Sequence, residues 1–190
     1  ASELTAALVT DSTKVVVSDA TATINDADGT GITAAALSAI GAKTTGTVTV
    51  TNAIAITGSP SEVTAALVTA SSLVEVTDAV VSITGNPTIT ELNNIAAKTT
   101  GVVTATLAAD SLSNLGDLTT AGTDAITITV NDADAAGVTA SDLSTLGGKT
   151  AGTVTVTNAV AITGSAGELT AALVTPSTLV EVSDATATVN

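Results

Sequence analysis

Apolar and polar residues alternate over short stretches of this chain, and these stretches return at regular intervals. In residues 47–57 (TVTVTNAIAIT), Val48, Val50, Ile54 and Ile56 fall on one side of an extended strand, while threonines fall on the other. This periodicity predicts short β-strands that bury one face and leave a threonine face in solvent.

The segments that precede the strands have the spacing of short helices. Ser59, Pro60 and Glu62 supply an N-cap, a proline at the first helical position and the acidic residue of a capping box. The apolar residues that follow are three or four positions apart, which predicts half-buried helices. The capping pattern also occurs at Thr88 with Glu91 and at Thr139 with Asp142, and the apolar sets are Val63, Ala66 and Leu67; Ile89, Leu92 and Ile95; and Leu169, Ala172 and Leu173.

Residues 25–84 return as residues 131–190 with about two-thirds of the paired positions identical, so the chain is a tandem array. We predict one continuous repeat array over residues 1–190, built from seven units of two alternating types. The second type carries the sequence KTTG or KTAG. The units are residues 2–25, 26–58, 59–85, 86–110, 111–131, 132–164 and 165–190.

The repeats and the composition together predict a mainly β fold, a parallel β-solenoid of about seven coils with short helices or turns in the coils. The chain is 45% hydrophobic but contains no aromatic residue, which suits a narrow core of stacked aliphatic side chains. A right-handed path is favoured, as for parallel connections in general. Because packed helices lie farther apart than paired strands, we expect successive helices on alternating sides.

The formal net charge of −14 comes from 18 acidic residues against four lysines. Phosphate backbones and anionic membrane surfaces are bound by clustered basic residues, so we expect no nucleic-acid partner and no membrane insertion. Lys43, Lys98 and Lys149 fall near predicted helix C-termini, where a cation stabilises the helix dipole. We therefore expect a structural role for these three lysines, and Lys14 is the fourth.

Asn52 interrupts the apolar row of its strand, and an Asn or Asp followed by Ala recurs at its counterparts in other units. Asn and Asp tolerate left-handed backbone geometry and bond to nearby main-chain groups. A stacked corner between two sheets is favoured over a hairpin turn, which prefers glycine at this place. The counterparts are Asp19, Asp78, Asp124, Asn158 and Asp184.

The loop NDADGTG is the candidate metal site. Asp26 and Asp28 alternate before a glycine, as at the start of calcium-binding loops, and Asp132 and Asp134 repeat the pair without that glycine. The closing glutamate of an EF-hand is missing, since Leu37 stands at the twelfth position. The four aspartates are predicted as possible calcium ligands, with a solvated turn as the alternative.

Two other functions are considered for the surface. The Thr-x-Thr pattern at residues 47–51 resembles the threonine arrays of ice-binding proteins, but Glu75 and Glu181 are expected to interrupt it in the other unit type. Catalysis is not expected, because without His and Cys the common general bases and thiol nucleophiles are missing.

The strings TAALVTxSTxVEVSDATAT and AALSAIGAKTTGTVTVTNAIAITG resemble the Thr/Val/Ala/Asp-rich tandem repeats of giant bacterial, particularly cyanobacterial, extracellular and cell-surface proteins with RTX-like neighbours. The resemblance covers nearly the whole chain, although the calcium-binding RTX nonapeptide is absent. It implies a surface-layer, adhesive, motility-related or filament role.

We therefore expect a non-enzymatic structural repeat protein outside the cell or on its surface, forming a shaft, a spacer or a self-assembling filament or surface layer. Its expected partners are copies of itself or flanking repeats, joined end to end. The alternative is an adhesive or ligand-binding module for a surface polysaccharide, a calcium-dependent contact or ice.

Overall fold

The computed structural model describes residues 1–11, 15–178 and 180–190. Lys14, one of the four lysines, lies outside the described residues. Within the described part, the chain forms two compact units. Unit 1 contains residues 1–85 and 94–104, and unit 2 contains residues 86–93 and 105–190.

The elements of unit 1 alternate strands with helices. In chain order they are α1 (Ser2–Leu4) with a π-helical continuation (Thr5–Val9), β1 (Ala22–Ile24), β2 (Gly31–Thr33), α2 (Ala34–Gly41), β3 (Val48–Val50), β4 (Ala55–Gly58), α3 (Pro60–Leu67), β5 (Val74–Glu75) and β6 (Val80–Ile83). Helix α4 (Ile89–Ala96) and strand β7 (Val103–Thr106) contribute residues to both units.

Unit 2 repeats this order of elements. It contains α5 (Leu112–Leu115), β8 (Ala125–Val130), β9 (Gly137–Thr139), α6 (Ala140–Gly147), β10 (Val154–Val156), β11 (Ala161–Gly164), α7 (Ala166–Leu173), β12 (Glu181–Val182) and β13 (Thr186–Val189). From β8 to β13, each element is the sequence counterpart of one from β1 to β6, so the duplication seen in the sequence is also a duplication of structure.

The prediction of a mainly β, parallel β-solenoid is wrong. The described strands form three parallel sheets of three, seven and three strands, and the chain is not closed into a solenoid. The helices of the described residues contain about as many residues as the strands, so the fold is mixed α/β. The physical reason is that the capped segments build full eight-residue helices, whereas most strands are only two to four residues long.

The strand pairs of the described residues are parallel. Most of them join neighbouring repeats, but β2 pairs with β4 inside the repeat 26–58 and β9 pairs with β11 inside the repeat 132–164. In unit 1 the strand orders are β1-β3-β5 and β2-β4-β6-β7, with Ile56 paired to Ile32 on one side and Val81 on the other. In unit 2 they are β8-β10-β12 and β9-β11-β13. Parallel pairing follows because the polypeptide runs in the same direction each time it returns to a sheet.

The core is aliphatic, as the alternating pattern predicts. Val48, Val50, Ile54 and Ile56 are buried, whereas Thr57 on the opposite face is exposed. Each apolar residue buried in this way contributes about 1.5 to 3 kcal/mol. The prediction of one dry face per strand is confirmed for these residues.

The predicted helix starts are also confirmed. Ser59 and Glu62 form a complete capping box with Pro60 in the first helical turn of α3. Ser165 and Glu168 form the same box at α7. The side chain that starts each helix satisfies main-chain N–H groups that the helix itself leaves without partners.

Two pairs of successive helices pack side by side: α2 against α3 in unit 1, and α6 against α7 in unit 2. The expectation that successive helices lie on alternating sides is wrong for these pairs. At the end of α2, Gly41 permits a close approach of the segment that follows α3, because a Cβ atom on Gly41 would lie 2.2 Å from the carbonyl oxygen of Ser72. None of the described helices has the length and hydropathy needed to cross a membrane.

Candidate functional site

The acidic loop of unit 1 directs its carboxylates at main-chain groups. Asp28 Oδ1 accepts a hydrogen bond from the N–H of Ala53 at 3.0 Å, and Asp26 Oδ2 is paired with the amino group of Ala1. In this arrangement the carboxylate of Asp28 fixes the loop against residue 53, near the end of the same repeat.

The corresponding loop of unit 2 does the same. Asp134 Oδ1 accepts from the N–H of Ala159 at 3.1 Å, and Asp132 Oδ2 accepts from the N–H of Leu112 at 2.7 Å. Among the described residues, no three acidic side chains come together as a group that could hold a metal ion. Calcium binding by the four aspartates stays a prediction.

The predicted corner residues Asn52 and Asn158 bond to the main chain at the start of their own repeat and to the residue just before it. Asn52 Nδ2 donates to the carbonyl oxygens of Asn25 and Asp26, at 3.3 and 2.7 Å. Asn158 makes the equivalent bonds in unit 2. Bonding of these side chains to the backbone is confirmed, but the expected left-handed geometry is not, because Ala135 is the only described residue other than glycine with a positive φ.

The contacts that sequence reasoning missed lie in the KTTG and KTAG sequences. We call residues 43–46, 98–101 and 149–152 the locking segments. Each segment begins just after a helix and ends just before a strand. The strands are β3, β7 and β10. All three segments contact the backbone of the preceding repeat through the threonine at their second position.

In unit 1 the hydroxyl of this threonine bridges two backbones. Thr44 Oγ1 donates to the carbonyl oxygen of Ala20 at 2.6 Å and accepts from the N–H of Gly46 at 3.0 Å. Thr99 does the same with Ala79 and Gly101, at 2.6 and 3.0 Å. The side chain thus satisfies one group on each side of the repeat boundary.

In unit 2 the equivalent hydroxyl is buried. Thr150 Oγ1 lies 2.9 Å from the carbonyl oxygen of Asp124 and 2.8 Å from that of Ile126. It also accepts from the N–H groups of Ile126 and Gly152, each at 2.8 Å. Because hydrogen bonds are stronger and lost partners more costly away from water, we expect this contact to contribute more than its half-buried counterpart Thr44.

The third position of each locking segment adds main-chain bonds. The N–H of Thr45 donates to the carbonyl oxygen of Ser18, and the N–H of Thr100 donates to that of Thr77. In unit 2 the residue is Ala151, whose N–H still donates to Asp124 at 2.7 Å. This position is held by the backbone, so it accepts either threonine or alanine.

The fourth position must be glycine because the two backbones approach closely. A Cβ atom on Gly46 would lie 2.5 Å from the carbonyl oxygen of Ala20. On Gly101 and Gly152 it would lie 2.3 Å from the carbonyl oxygens of Ala79 and Ile126. These distances are shorter than any real contact of this kind, so a side chain here would push the repeats apart.

The lysine at the first position follows the end of a helix. The N–H of Lys43 donates to the carbonyl oxygen of Ile40 at the end of α2. Lys149 Nζ donates to the carbonyl oxygen of Gly116, the C-cap of α5, at 2.6 Å. A cation near a helix C-terminus is stabilising, so the contact of Lys149 agrees with the structural role predicted for it, whereas the role of the Lys43 and Lys98 side chains stays a prediction.

The locking segment 43–46 also lines a cleft. The cleft has a volume of about 390 Å³ and includes Lys43, Thr44, Ser71 and Glu75 on its walls. It is open to solvent, and its polar side chains come from the repeat contact itself. We assign it no separate chemistry.

The outward threonines do not form an unbroken array. Thr49 pairs with Thr23 on one side and with Glu75 on the other. The same register places Glu181 next to Thr155 in unit 2. The carboxylates therefore interrupt the threonine row at the positions expected from the sequence.

Three glutamates at helix starts have lowered pKa values. The main-chain N–H and the hydroxyl of Ser59 hold the pKa of Glu62 below its ordinary value. The equivalent donors of Thr88 and Ser165 lower the pKa of Glu91 and Glu168. In each case the hydrogen bonds favour the charged carboxylate at the helix start.

Comparison of the chain with models of protein families, with curated proteins and with solved structures finds no match.

Proposed function

We propose that this chain is a non-enzymatic structural repeat segment that acts outside the cell or at its surface as a shaft, a spacer or part of a filament or surface layer. The observation that carries the proposal is the locking segment. It recurs three times, and each time it joins one repeat to the backbone of the repeat before it. Its threonine hydroxyl and its main-chain groups form hydrogen bonds that join neighbouring repeats.

The distribution of polar groups supports this function. Asp28, Asp134 and the asparagines at positions 52 and 158 bond to main-chain groups within their own repeats. These bonds hold each repeat together, and the locking segments add the contacts between neighbours that stabilise a tandem array. A segment of this kind carries length and mechanical continuity.

The net charge of −14 supports a well-solvated surface. The resemblance to repeats of giant bacterial surface proteins points to an extracellular location and to copies or flanking repeats as partners. Both remain part of the proposal.

A ligand-binding module is the second candidate, because threonine and acidic side chains line the outer faces of the strands. Binding of the purified full chain to bacterial surface polysaccharide tests it, with Thr49→Lys as the variant. A structural segment gives no saturable binding in either form. Saturable binding that Thr49→Lys abolishes would contradict the structural proposal and support an adhesive role.

Calcium dependence is tested on the same material. If the aspartates at positions 26, 28, 132 and 134 bind calcium, a chelator lowers the melting temperature, and Asp28→Asn with Asp134→Asn removes that effect. If the aspartates act only as turn acceptors, the chelator leaves the melting temperature unchanged. Electron microscopy then separates a filament, seen as long uniform fibres, from a spacer, seen as isolated particles.

A further inference from the structure

Asp28 and Gly29 form the one Asp-Gly pair of the chain, and no asparagine of the chain precedes a glycine. In such a pair, the main-chain nitrogen of the glycine can attack the side-chain carboxyl carbon of the aspartate and close a cyclic imide. A Cβ atom on the second residue obstructs this approach, whereas glycine leaves it open. Both residues are exposed, so water reaches them. The pair is therefore a candidate for covalent modification of the backbone.

The folded loop ties both reacting groups to Ala53. The N–H of Gly29 donates to the carbonyl oxygen of Ala53 at 2.8 Å, and Asp28 Oδ1 accepts from the N–H of Ala53 at 3.0 Å. Ring closure requires the carboxyl group to turn back onto the nitrogen of Gly29, and it requires that nitrogen to lose its proton. Both hydrogen bonds to Ala53 must therefore break before the ring can form.

We propose that Asp28 is a site of spontaneous backbone modification, where aspartate converts to isoaspartate through an imide with Gly29 when the loop releases Ala53. The rate in the folded chain is set by local opening of the loop, since exposed loops open without unfolding of the core. This inference concerns the covalent chemistry of one loop and does not depend on the proposed structural function.

The reaction needs water and no other reactant. The nitrogen of Gly29 forms a bond to the side-chain carboxyl carbon of Asp28 in its acid form, the bond from that carbon to its hydroxyl breaks, and the hydroxyl leaves with the amide proton as water. Hydrolysis of the imide then adds one water molecule. Cleavage of the bond between the main-chain carbonyl carbon and the nitrogen gives isoaspartate, and cleavage of the new bond returns aspartate.

Conversion changes the contact between the loop and Ala53. In isoaspartate the main chain passes through the former side chain and is longer by a methylene group, and the free carboxylate is attached directly to the Cα atom. Residue 28 and Gly29 then no longer present their acceptor and donor with the spacing that matches Ala53. Since each lost hydrogen bond weakens the fold, the modification loosens the acidic loop of the repeat 26–58.

The acidic loop of unit 2 is a matched reference within the same chain. The N–H of Ala135 donates to the carbonyl oxygen of Ala159 at 2.8 Å, and Asp134 Oδ1 accepts from the N–H of Ala159 at 3.1 Å. The left-handed φ of Ala135, 61°, is close to that of Gly29, 73°. The two loops thus share their hydrogen bonds, but the Cβ atom of Ala135 obstructs the attack, so the modification is confined to unit 1.

The test incubates the folded full chain in mildly acidic water that is enriched in the heavy oxygen isotope. Each passage through the imide adds a heavy oxygen atom to residue 28, and isoaspartate separates from aspartate as a second chromatographic peak. Cleavage after the lysines releases residues 15–43 and 99–149 as separate peptides. Fragmentation in the mass spectrometer then assigns the label to Asp28 or Asp134.

Asp28 should acquire label and isoaspartate in the folded chain, while Asp134 should acquire neither. The chain unfolded in denaturant should label Asp28 about tenfold faster or more, which is the factor that two hydrogen bonds of ordinary strength supply. Equal rates in the folded and unfolded chain would overturn the protection by Ala53, and an unfolded chain without label at Asp28 would overturn the site itself.

Two variants leave the reacting pair unchanged. Asn52→Ala removes the bonds from Asn52 Nδ2 to the carbonyl oxygens of Asn25 and Asp26, so the folded loop should open more often and label Asp28 about threefold faster or more. Its circular dichroism spectrum should match that of the parent chain. Ala135→Gly should create a second site at Asp134. An unchanged rate in folded Asn52→Ala, or no label at Asp134 in unfolded Ala135→Gly, would contradict the proposal.

Discussion

The acidic loops of the two units have the same backbone conformation but different residues at the position that adopts a left-handed conformation. Gly29 has a φ of 73°, and Ala135, its counterpart, has a φ of 61°. The N–H of each residue donates at 2.8 Å to an alanine carbonyl oxygen farther along the same repeat, Ala53 or Ala159. The comparison teaches that the main-chain contact within the repeat holds this left-handed conformation with either residue, and that glycine only makes it less costly.

The locking segments give a second comparison between the units. Their threonine and glycine positions are the same, but Thr150 in unit 2 is buried and makes more close contacts than Thr44 in unit 1. Removal of each of these shared or differing contacts should therefore lower the stability by a different amount.

The largest effect is expected for the glycine of the locking segment. Gly152→Val should lower the free energy of unfolding by about 3 kcal/mol or more, because the new side chain meets the backbone at Ile126. Gly46→Val should cost a similar amount. Chemical denaturation measures both.

The control for this prediction is Gly137→Val, since a Cβ atom there has no neighbour within 4 Å. Its effect should stay within about 0.5 kcal/mol. Equal losses at Gly137 and Gly152 would show that close approach is not the reason for the glycine.

The threonine of the locking segment should show a difference between units. Thr150→Val should cost about 1 to 3 kcal/mol, because the N–H of Ile126 loses its buried partner. Thr44→Val should cost about 1 kcal/mol, since its surroundings are partly solvated. Equal costs measured by chemical denaturation would remove the distinction between the two units.

The loop comparison predicts opposite signs. Gly29→Ala should cost about 1 kcal/mol, because alanine pays for the left-handed conformation. Ala135→Gly should stabilise by less than about 1 kcal/mol, since relief of strain is offset by the greater freedom of glycine in the unfolded chain. Melting temperatures of the two variants and the double exchange test this, and destabilisation by Ala135→Gly would contradict it.

The smallest effect concerns pH. The folded pKa of Glu62 lies below its unfolded value, so the charged carboxylate stabilises the fold. This contribution is fully present above the ordinary glutamate pKa of about 4.3 and is lost as pH falls through the lower folded value. Glu62→Gln should therefore have a lower free energy of unfolding than the parent protein at pH 7. This difference in stability should shrink as the pH falls into the acid range.

Glu168→Gln is the matched variant in unit 2, where the capping box lacks the proline. Its pH dependence should have the same sign in thermal unfolding. A difference from the parent that grows as the pH falls below 4 would contradict the assignment of the two glutamates.

Local features of the fold could be predicted from the sequence because they depend on neighbouring residues. The capping box of Ser59 and Glu62 and the buried face with Val48 and Ile56 are of this kind. The fold class could not be predicted correctly, since the pattern of apolar residues does not say how strands distribute among sheets or how much of each repeat becomes helix. The mainly β solenoid was the wrong inference for this reason.

The candidate site, too, could be predicted only in part from the sequence. The sequence singled out the repeated lysine, but the partner of Thr99 is a carbonyl oxygen about 20 residues earlier, and only strand register brings the two together. The invariant spacing of threonine and glycine after the lysine was the available signal. The left-handed Ala135 gave no signal, because alanine does not mark that conformation.

The most direct test of the account is the force needed to unfold a single tethered chain. The variant with Thr44→Val, Thr99→Val and Thr150→Val removes the three locking hydroxyls, and the control with Thr57→Val, Thr104→Val and Thr163→Val changes exposed strand threonines. The account predicts a lower unfolding force for the first variant and an unchanged force for the control. Equal forces for both variants and the parent chain would contradict the claim that the locking segments hold the repeats together.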